Sequence, residues 1–438
     1  MFGWFAREAH DPTQRILREH EKLMPPLTPL EYARVVWTKA KGTMLWDVRG
    51  KTYYDFNGGI ATSAIGHRHP KIIEAICKQA EVLDFVDGIY CCEINVGGKK
   101  YEISPAALAK KLLPILFPSK PLAEVNIVFD VTGSLAVDIG MDLGIKALLD
   151  RKVMISTEWG FHGRHRSRDL TCSNPIQRQN YPRAVEVYHL PFPDSQENFK
   201  AAMRYFLNFI PWRDVNTFWT EYLQGEGGYS WPDIDLMDKL LLTLRKHGIL
   251  IGIDEVQSGL FRTGRWFAHQ YGKVTPDIIT LGKALGGGPL PISAVAYDRA
   301  IFNFNDKEML EPGWYGATWS NYAVGIAAAI VFLDILQEEK ITERVEPMGE
   351  LLRSVLNKYN GHRKNGGYCI RTGIGLMQGL RFKKEDGSPD LEERDAVLKQ
   401  LFEAEPVGIF TLPAGKATIR FSPPFIISKE EIGYLDET

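Results

Sequence analysis

Two short apolar runs decide the fold of this chain: Ile249-Leu-Ile-Gly-Ile-Asp254-Glu255 and Pro276-Asp277-Ile-Ile-Thr-Leu-Gly282-Lys283. An apolar run that ends in acids is typical of a buried parallel strand, which would deliver Asp254 at its carboxyl end. The second run ends on Lys283, which a row of glycines follows. A carboxylate for a ring nitrogen and an amine that forms an imine are the two groups that pyridoxal phosphate (PLP) requires. A lysine after a strand is ordinarily a solvated strand end, so the runs alone leave both interpretations open.

The composition is that of an ordinary globular enzyme. Apolar residues make up 45% and charged residues 24% of the 438 residues, which is enough chain for two domains or for one large domain with an appendage. The net charge of −2 gives no reason to expect a nucleic-acid or membrane partner. The five cysteines lack metal-ligand spacing, so we expect no metal site and a reducing compartment. The sequence carries neither a signal-peptide pattern nor an apolar stretch of about 18 residues, and we expect a cytoplasmic location.

Strand-like and helical runs alternate through most of the chain. The strand-like runs are residues 126–129, 153–156, 217–223, 249–256, 278–281 and 292–296, and the clearest helical runs are 135–149 and 233–247. Strands separated by helices predict an α/β fold with a mainly parallel central sheet and helices on both faces. After about residue 302 the pattern changes to a long helix at 323–339 and then to the short segments of a smaller α+β domain.

The predicted organisation has three parts. Residues 1–60 form an N-terminal arm that packs with the small domain, residues 61–320 form a large PLP-binding domain, and residues 321–438 form the C-terminal small domain. Within the arm we expect a polar helix, a Pro-rich link at residues 24–30 and a hairpin at 43–56.

Polar or glycine-rich segments follow three more of the predicted strands. Thr132-Gly133-Ser134 opens a helix and would offer backbone N–H groups to a phosphate, although plain N-capping explains it as well. Residues 159–164 (Trp-Gly-Phe-His-Gly-Arg) would place an aromatic ring and a guanidinium at a strand end. Residues 221–228 combine two acids with glycines that let a small molecule approach the backbone. Because ligands bind outside the carboxyl ends of parallel strands, these segments predict one site together with Asp254 and Lys283.

At these segments the chain resembles the class III (ornithine/4-aminobutyrate/lysine 6-aminotransferase type) PLP-dependent aminotransferases of fold type I. The resemblance runs from about Leu27 to Lys429, and residues 248–264 with 276–288 are its most specific part. The supporting matches are Asp55-Phe-Asn-Gly-Gly-Ile60-Ala, Gly66-His-Arg-His-Pro70, Phe161-His-Gly-Arg164, Gln224-Gly-Glu226-Gly-Gly and Thr418-Ile-Arg420-Phe-Ser-Pro-Pro424.

The resemblance implies a PLP contact for each of several residues. Lys283 would hold the cofactor as a Schiff base and then shuttle the proton, and Asp254 would pair with the ring nitrogen. The other implied contacts come from Gly133 and Ser134 at the phosphate, Phe161 on the ring face, Gln257 near the phenolic oxygen and Thr318 reaching from a partner subunit. The last role implies a homodimer with shared active sites.

The resemblance also implies a reaction and its substrate contacts. The amino group, from the terminal amine of lysine, ornithine or 4-aminobutyrate, would move to 2-oxoglutarate by a ping-pong aldimine/ketimine mechanism. Arg420 would bind the α-carboxylate, and Glu226 would pair with that arginine and release it. Arg164 would grip the substrate carboxylate, as in the lysine 6-aminotransferase branch.

Two other functions remain open at this stage. An amino-acid racemase or epimerase of the same family, or a decarboxylating relative, would use the same Lys283 and Asp254, and a cofactor-free homologue without catalytic activity would share the fold. The chain also departs from the family pattern, with Leu135 where a glutamate is usual and Tyr222 where a proline is usual. The residues themselves do not rank the possible amino donors.

Overall fold

The computed structural model describes residues 12–25, 34–363 and 366–438. Besides a single helical turn at Gly58–Ala61, the α-helices are α1 Pro12–Leu23, α2 Pro70–Val82, α3 Pro105–Leu116, α4 Gly133–Ala147, α5 Gln196–Phe209, α6 Ile234–Lys246, α7 Asp306–Met309, α8 Ala323–Glu338, α9 Thr342–Asn357, α10 Leu391–Glu403 and α11 Lys429–Glu437. The strands are β1 Trp37–Lys41, β2 Met44–Asp47, β3 Thr52–Asp55, β4 Cys92–Val96, β5 Lys99–Ile103, β6 Val125–Asp130, β7 Val153–Thr157, β8 Glu186–Leu190, β9 Val215–Thr220, β10 Leu250–Asp254, β11 Ile278–Leu281, β12 Ser293–Asp298, β13 Gly361–His362, β14 Tyr368–Ile374, β15 Met377–Lys383, β16 Gly408–Phe410, β17 Leu412–Ala414 and β18 Thr418–Phe421.

The central sheet has seven strands in the order β6-β12-β11-β10-β9-β7-β8. The pairs β11–β10, β10–β9, β9–β7 and β7–β8 are parallel, which confirms the predicted mainly parallel sheet. Strand β12 is the exception, because it runs antiparallel to both β11 and β6. The link from β11 to β12 contains no α-helix, and a parallel return would need a longer crossover connection.

Both faces of this sheet are buried under helices. In β9, Phe218 packs with α5 and α6 on one face, and the next residue, Trp219, packs with α4 on the other. Successive side chains of a strand point to opposite faces, so an uninterrupted apolar strand needs cover on both sides. Glycines make room for the indole, since a Cβ on Gly252 would lie 2.7 Å from the ring of Trp219. The carboxyl ends of the parallel strands are thereby held rigidly at one edge.

Two smaller sheets flank this core. Strands β2 and β3 form the predicted hairpin, and β3 pairs in parallel with β16 from the C-terminal region. Strands β13, β14, β15, β18 and β17 form a five-stranded antiparallel sheet. The predicted long helix at 323–339 is α8, which packs against α2 and α3. The division of the chain at residues 60 and 320 stays a prediction.

Some predicted segments lie partly outside the described residues, namely the start of the N-terminal arm and most of the Pro-rich link at 24–30. Strands β4 and β5 form a separate hairpin between α2 and α3. Within the described ranges, no helix has the length and apolar character needed to cross a membrane.

Candidate active site

Five strand ends meet around one cavity of about 200 Å³. The residues that line it are Gly133, Ser134, Phe161, His162, Gly163, Glu221, Asp254, Val256, Gln257 and Lys283. They follow β6, β7, β9, β10 and β11, whose carboxyl ends lie at the same edge of the sheet. The structure therefore brings together six of the residues nominated from the sequence: Gly133, Ser134, Phe161, Asp254, Gln257 and Lys283.

Asp254 is buried and held by two neighbours. One carboxylate oxygen accepts the backbone N–H of Val256 at 2.9 Å, and the other lies 3.0 Å from Nδ1 of His162. A carboxylate only accepts hydrogen bonds, so Nδ1 of His162 is the donor in this pair. The opposite ring nitrogen, Nε2, is buried and has no partner among the described residues. Asp254 is thus fixed in direction and keeps acceptor capacity for a cationic group in the cavity.

Lys283 lies at the end of β11, where its own backbone is strained. Its φ of 39° falls in the left-handed region that side-chain-bearing residues rarely adopt. Burial lowers the pKa of the Lys283 amine, and the carboxylates of Asp254 and Glu221 oppose that shift. A buried amine with a lowered pKa exists partly in the neutral, nucleophilic form, which an imine-forming lysine requires.

Glu221 and His162 are the site residues that the sequence did not nominate for a role. The buried Glu221 carboxylate accepts the backbone N–H groups of Phe161 and Gly225, each at 2.9 Å. Burial raises the pKa of Glu221 to about 7, although His162 and the two N–H groups pull it down. Both residues stand inside motifs that the sequence singled out, but their burial and partners depend on contacts between distant strands.

A second charged pair lies beside the cavity. Arg420 on β18 donates from Nη1 to Oε1 of Glu226 at 2.6 Å. The arginine side chain is 7% exposed and the glutamate side chain is 29% exposed. Neither residue lines the cavity, but the charges of both act on Lys283. The positive charge of Arg420 lowers the pKa of Lys283, and the negative charge of Glu226 raises that pKa. The pair that the sequence predicted therefore forms next to the lysine.

Arg164 and Thr318 lie further out. Arg164 is exposed, and its guanidinium carbon lies 5.6 Å from the centre of the Phe161 ring. Thr318 is exposed and is absent from the cavity wall of its own chain. Its segment is tied to the end of β6, because Tyr315 and Ser320 both donate hydrogen bonds to the carboxylate of Asp130.

The cavity fits a planar, anionic pyridine compound such as PLP. Nε2 of Gln257 and Nε2 of His162 are buried without a hydrogen-bond partner in the described chain, so the cavity presents unsatisfied polar atoms. Helix α4 begins at Gly133 with its first turn facing this region, and helix N-termini hold free N–H groups for phosphate. The glycine is needed there, since a Cβ on Gly133 would lie 2.7 Å from Cγ1 of Val256.

Comparison with known proteins agrees with this geometry. Residues 29–437 match the family model for Aminotransferase class-III. Ornithine aminotransferase 1 from Staphylococcus aureus (strain MRSA252) is 31% identical over 405 residues, covering 92% of this chain and 93% of that protein. Leucine/methionine racemase from Thermococcus litoralis is 29% identical, covering 96% of this chain and 93% of that protein.

Solved structures show the same fold. An ornithine aminotransferase from Toxoplasma gondii, reported with partial occupancy of PLP at its active site, superimposes with a TM-score of 0.76 at 25% identity. That alignment covers 99% of this chain and 95% of the other. The family match, the fold and the lysine–aspartate cavity agree, and this chain belongs to the class-III aminotransferases, PLP-dependent enzymes of fold type I.

Proposed function

We propose that this enzyme transfers the terminal amino group of lysine, ornithine or 4-aminobutyrate to 2-oxoglutarate in two successive half-reactions. The observation that carries the proposal is the ion pair between Arg420 and Glu226. When Glu226 neutralises the arginine, the pocket suits a donor that enters by its terminal amine. When Glu226 turns away, the guanidinium of Arg420 can bind the α-carboxylate of a 2-oxo acid. The similarity to ornithine aminotransferase 1 supports this substrate class.

The chain's own residues supply binding and proton transfer around the cofactor. Bound PLP provides the electron sink that acidifies the carbon bearing the substrate's amino group. Nζ of Lys283, with its lowered pKa, takes the proton from that carbon and returns it at the other end of the reacting system. Asp254 keeps the ring nitrogen protonated, because a nearby negative charge raises the pKa of a cationic acid. His162 fixes the Asp254 carboxylate in place through the hydrogen bond from Nδ1.

Binding of the cofactor and substrate is shared among the remaining nominated residues. We assign the phosphate to Gly133 and Ser134, the ring face to Phe161 and the phenolic oxygen to Gln257. We assign the phosphate of the neighbouring site to Thr318, which makes the active enzyme a homodimer with shared sites. Its exposure and its absence from the cavity wall of its own chain support that assignment.

Two further assignments belong to the same proposal. Arg164 grips a substrate carboxylate at the mouth of the cavity, supported by its exposed position beside Phe161. The location is cytoplasmic, supported by five cysteines that are all free.

A half-reaction without acceptor tests the proposal. PLP-loaded protein is mixed with lysine, ornithine, 4-aminobutyrate or alanine, and the absorbance spectrum is followed. We expect a terminal-amine donor to abolish the visible band of the Lys283-bound cofactor and to produce a near-ultraviolet band, which 2-oxoglutarate reverses. A faster reaction with alanine than with all three terminal amines would contradict the proposed donor class.

Racemisation is a second candidate, because the leucine/methionine racemase from T. litoralis matches 96% of this chain. A racemase would leave the visible band in place while the substrate changes chirality and takes up deuterium from heavy water. Incubation of L-leucine and L-methionine with the enzyme, followed by chiral chromatography, separates the two reactions.

A further inference from the structure

The loop that carries Glu226 is folded back on itself. Residues 224–230 leave the end of β9, and the N–H of Gln224 donates to the carbonyl of Ser230 at 3.1 Å. Inside the loop, the hydroxyl of Ser230 donates to the carbonyl of Gly227 at 2.9 Å. These bonds give the loop a defined shape, but they do not fix its position relative to Arg420 on β18.

Contacts with the five-stranded sheet fix the position of the loop relative to Arg420. The N–H of Gly415 donates to the carbonyl of Glu226 itself at 3.0 Å. The hydroxyl of Thr372 on β14 donates to the carbonyl of Gly228, also at 3.0 Å. The contact is close, since Gly228 has a φ of 77° and a Cβ there would lie 2.5 Å from Oγ1 of Thr418. The loop is therefore attached to the same sheet that carries Arg420.

Arg381 makes the most extensive of these contacts. Its Nη2 donates to the hydroxyl of Ser230 at 2.9 Å and to the carbonyl of Gly228 at 3.1 Å. Arg381 lies on β15, which pairs with β18 so that Arg381 stands opposite Thr418 and Gly379 opposite Arg420. The guanidinium thus bridges from the strand beside Arg420 to the loop of Glu226.

The surroundings of Arg381 show that it is not a surface charge. Among the described residues, its Nε is buried without a hydrogen-bond partner, and no carboxylate forms a salt bridge with its guanidinium. Burial lowers the pKa of the guanidinium, and only the more distant Asp194 opposes the shift. A desolvated arginine without a carboxylate is costly to the fold, so its hydrogen bonds to the loop are its evident compensation.

We propose that Arg381 is a positioning residue for Glu226. It holds the loop backbone against the sheet. The Glu226 carboxylate can then form and break its ion pair with Arg420 by rotation of the Glu226 side chain, without movement of the loop backbone. The inference rests on the proposed function, because it assigns Arg381 to the exchange of substrates at Arg420. Without Arg381, Glu226 would pair with Arg420 less often, so the Glu226 carboxylate would compensate the positive charge of Arg420 less during the donor half-reaction.

Arg381→Met tests this role, with Arg371→Met as its matched control. Arg371 lies on the neighbouring strand β14, is partly buried and donates to the carbonyl of Gly373 and to Oε1 of Gln378 rather than to residues 224–230. Amide hydrogen exchange of the substrate-free protein reports the loop directly. We expect the Gly415 and Gln224 amides to exchange about 10-fold faster in Arg381→Met and to be unchanged in Arg371→Met.

The two half-reactions supply the functional readout. In Arg381→Met we expect the donor half-reaction, measured with the fastest terminal amine, to slow by about 10-fold. The acceptor half-reaction with 2-oxoglutarate should stay within about 2-fold of the wild-type rate, because it uses Arg420 without Glu226. Equal slowing of both would mean that Arg381 only supports the fold, and the proposal would be wrong.

A double-mutant cycle with Glu226→Gln decides whether Arg381 acts through Glu226. If it does, Arg381→Met adds no further loss of donor rate in the Glu226→Gln background. An undiminished loss in that background would contradict the inference and leave the transaminase proposal intact. Absence of any half-reaction in the wild type would instead contradict the proposed function. If Arg381→Met does not fold, the same cycle is run with Arg381→Lys, and the same criterion applies.

Discussion

Nδ1 of His162 donates to a carboxylate oxygen of Asp254 at 3.0 Å, and both side chains are buried. The two residues follow different strands, β7 and β10, so the bond joins two edges of the cavity. Because the second oxygen of Asp254 accepts the N–H of Val256, the carboxylate cannot rotate without losing a hydrogen bond. A fixed carboxylate holds a ring nitrogen better than a mobile one, since no ordering is needed on binding.

Removal of this bond should weaken cofactor binding. We expect His162→Leu to lower the affinity for PLP by about 10- to 100-fold, since losing one partner of a buried charged group costs about 1.5–3 kcal/mol. Titration of the apoprotein with PLP, followed by absorbance, measures the effect. His189→Leu is the control, because His189 is a largely buried histidine bonded to the carbonyl of Leu170, outside the cavity wall. An equal loss of affinity in both variants would show a general packing effect.

Replacement of Lys283 should abolish turnover and leave the fold intact. In Lys283→Ala we expect a rate loss of at least about 10⁴-fold, because the variant lacks both the imine-forming amine and the proton carrier. Borohydride should no longer attach the cofactor covalently, and circular dichroism should match the wild type. The exposed Lys273→Ala should behave as wild type. Substantial remaining activity in Lys283→Ala would remove the lysine from its proposed role.

Arg420→Ala should separate the two substrates. We expect KM for 2-oxoglutarate to rise by about 30-fold or more, because truncating a buried charged partner costs about 2–5 kcal/mol. The donor half-reaction should change by less than about 10-fold, since the donor is proposed to enter with Arg420 already neutralised. Steady-state kinetics with each substrate varied in turn measures the split. Equal losses for donor and acceptor would mean that Arg420 is structural.

The buried carboxyl of Glu221 should make the stability of the apoprotein depend on pH. Its pKa rises from 4.5 to about 7 on folding, so its contribution is complete below pH 4.5 and is lost as pH rises through 7. Glu221 should therefore contribute a fall of up to about 3 kcal/mol in the free energy of unfolding between pH 4.5 and pH 8, beside the opposite contribution of His189, whose pKa burial lowers to about 4. Glu221→Gln should abolish that fall in urea unfolding, and the surface change Glu385→Gln should retain it. The same pH dependence in both variants would exclude Glu221 as its source.

Complementation between two impaired variants tests the shared site. Thr318→Ala should weaken PLP binding, and Lys283→Ala should abolish turnover. In a mixed dimer, one site combines Lys283 of the first subunit with Thr318 of the second, so it should recover wild-type PLP affinity and activity. The other site lacks both. Activity of the mixture no greater than that of the two variants measured apart would contradict a threonine contributed by the partner.

The sequence determined the central sheet and the chemical groups of the site. Apolar runs at 249–256 and 278–281 became β10 and β11, because strands buried on both faces need uninterrupted apolar residues. Asp254 is the last residue of β10 and Lys283 lies two residues after the end of β11, so their place at the sheet edge was readable from their position in the chain. The direction of β12 was not readable, since one strand pattern suits both orientations and only the short link from β11 decides between them.

Apart from the pair of Arg420 and Glu226, which the family resemblance implied, folding settled which charged groups meet and how they ionise. Arg420 and Glu226 are 194 residues apart, and His162 and Asp254 are 92 apart, so no local pattern specifies either contact. No local pattern specifies the raised pKa of Glu221 either, because that shift comes from burial of the carboxyl in the folded site. Desolvation and hydrogen-bond direction arise only when the site is packed, whereas residue type and strand periodicity are properties of the sequence. The sequence therefore specified the family and its chemical groups, and folding specified the electrostatics that those groups experience.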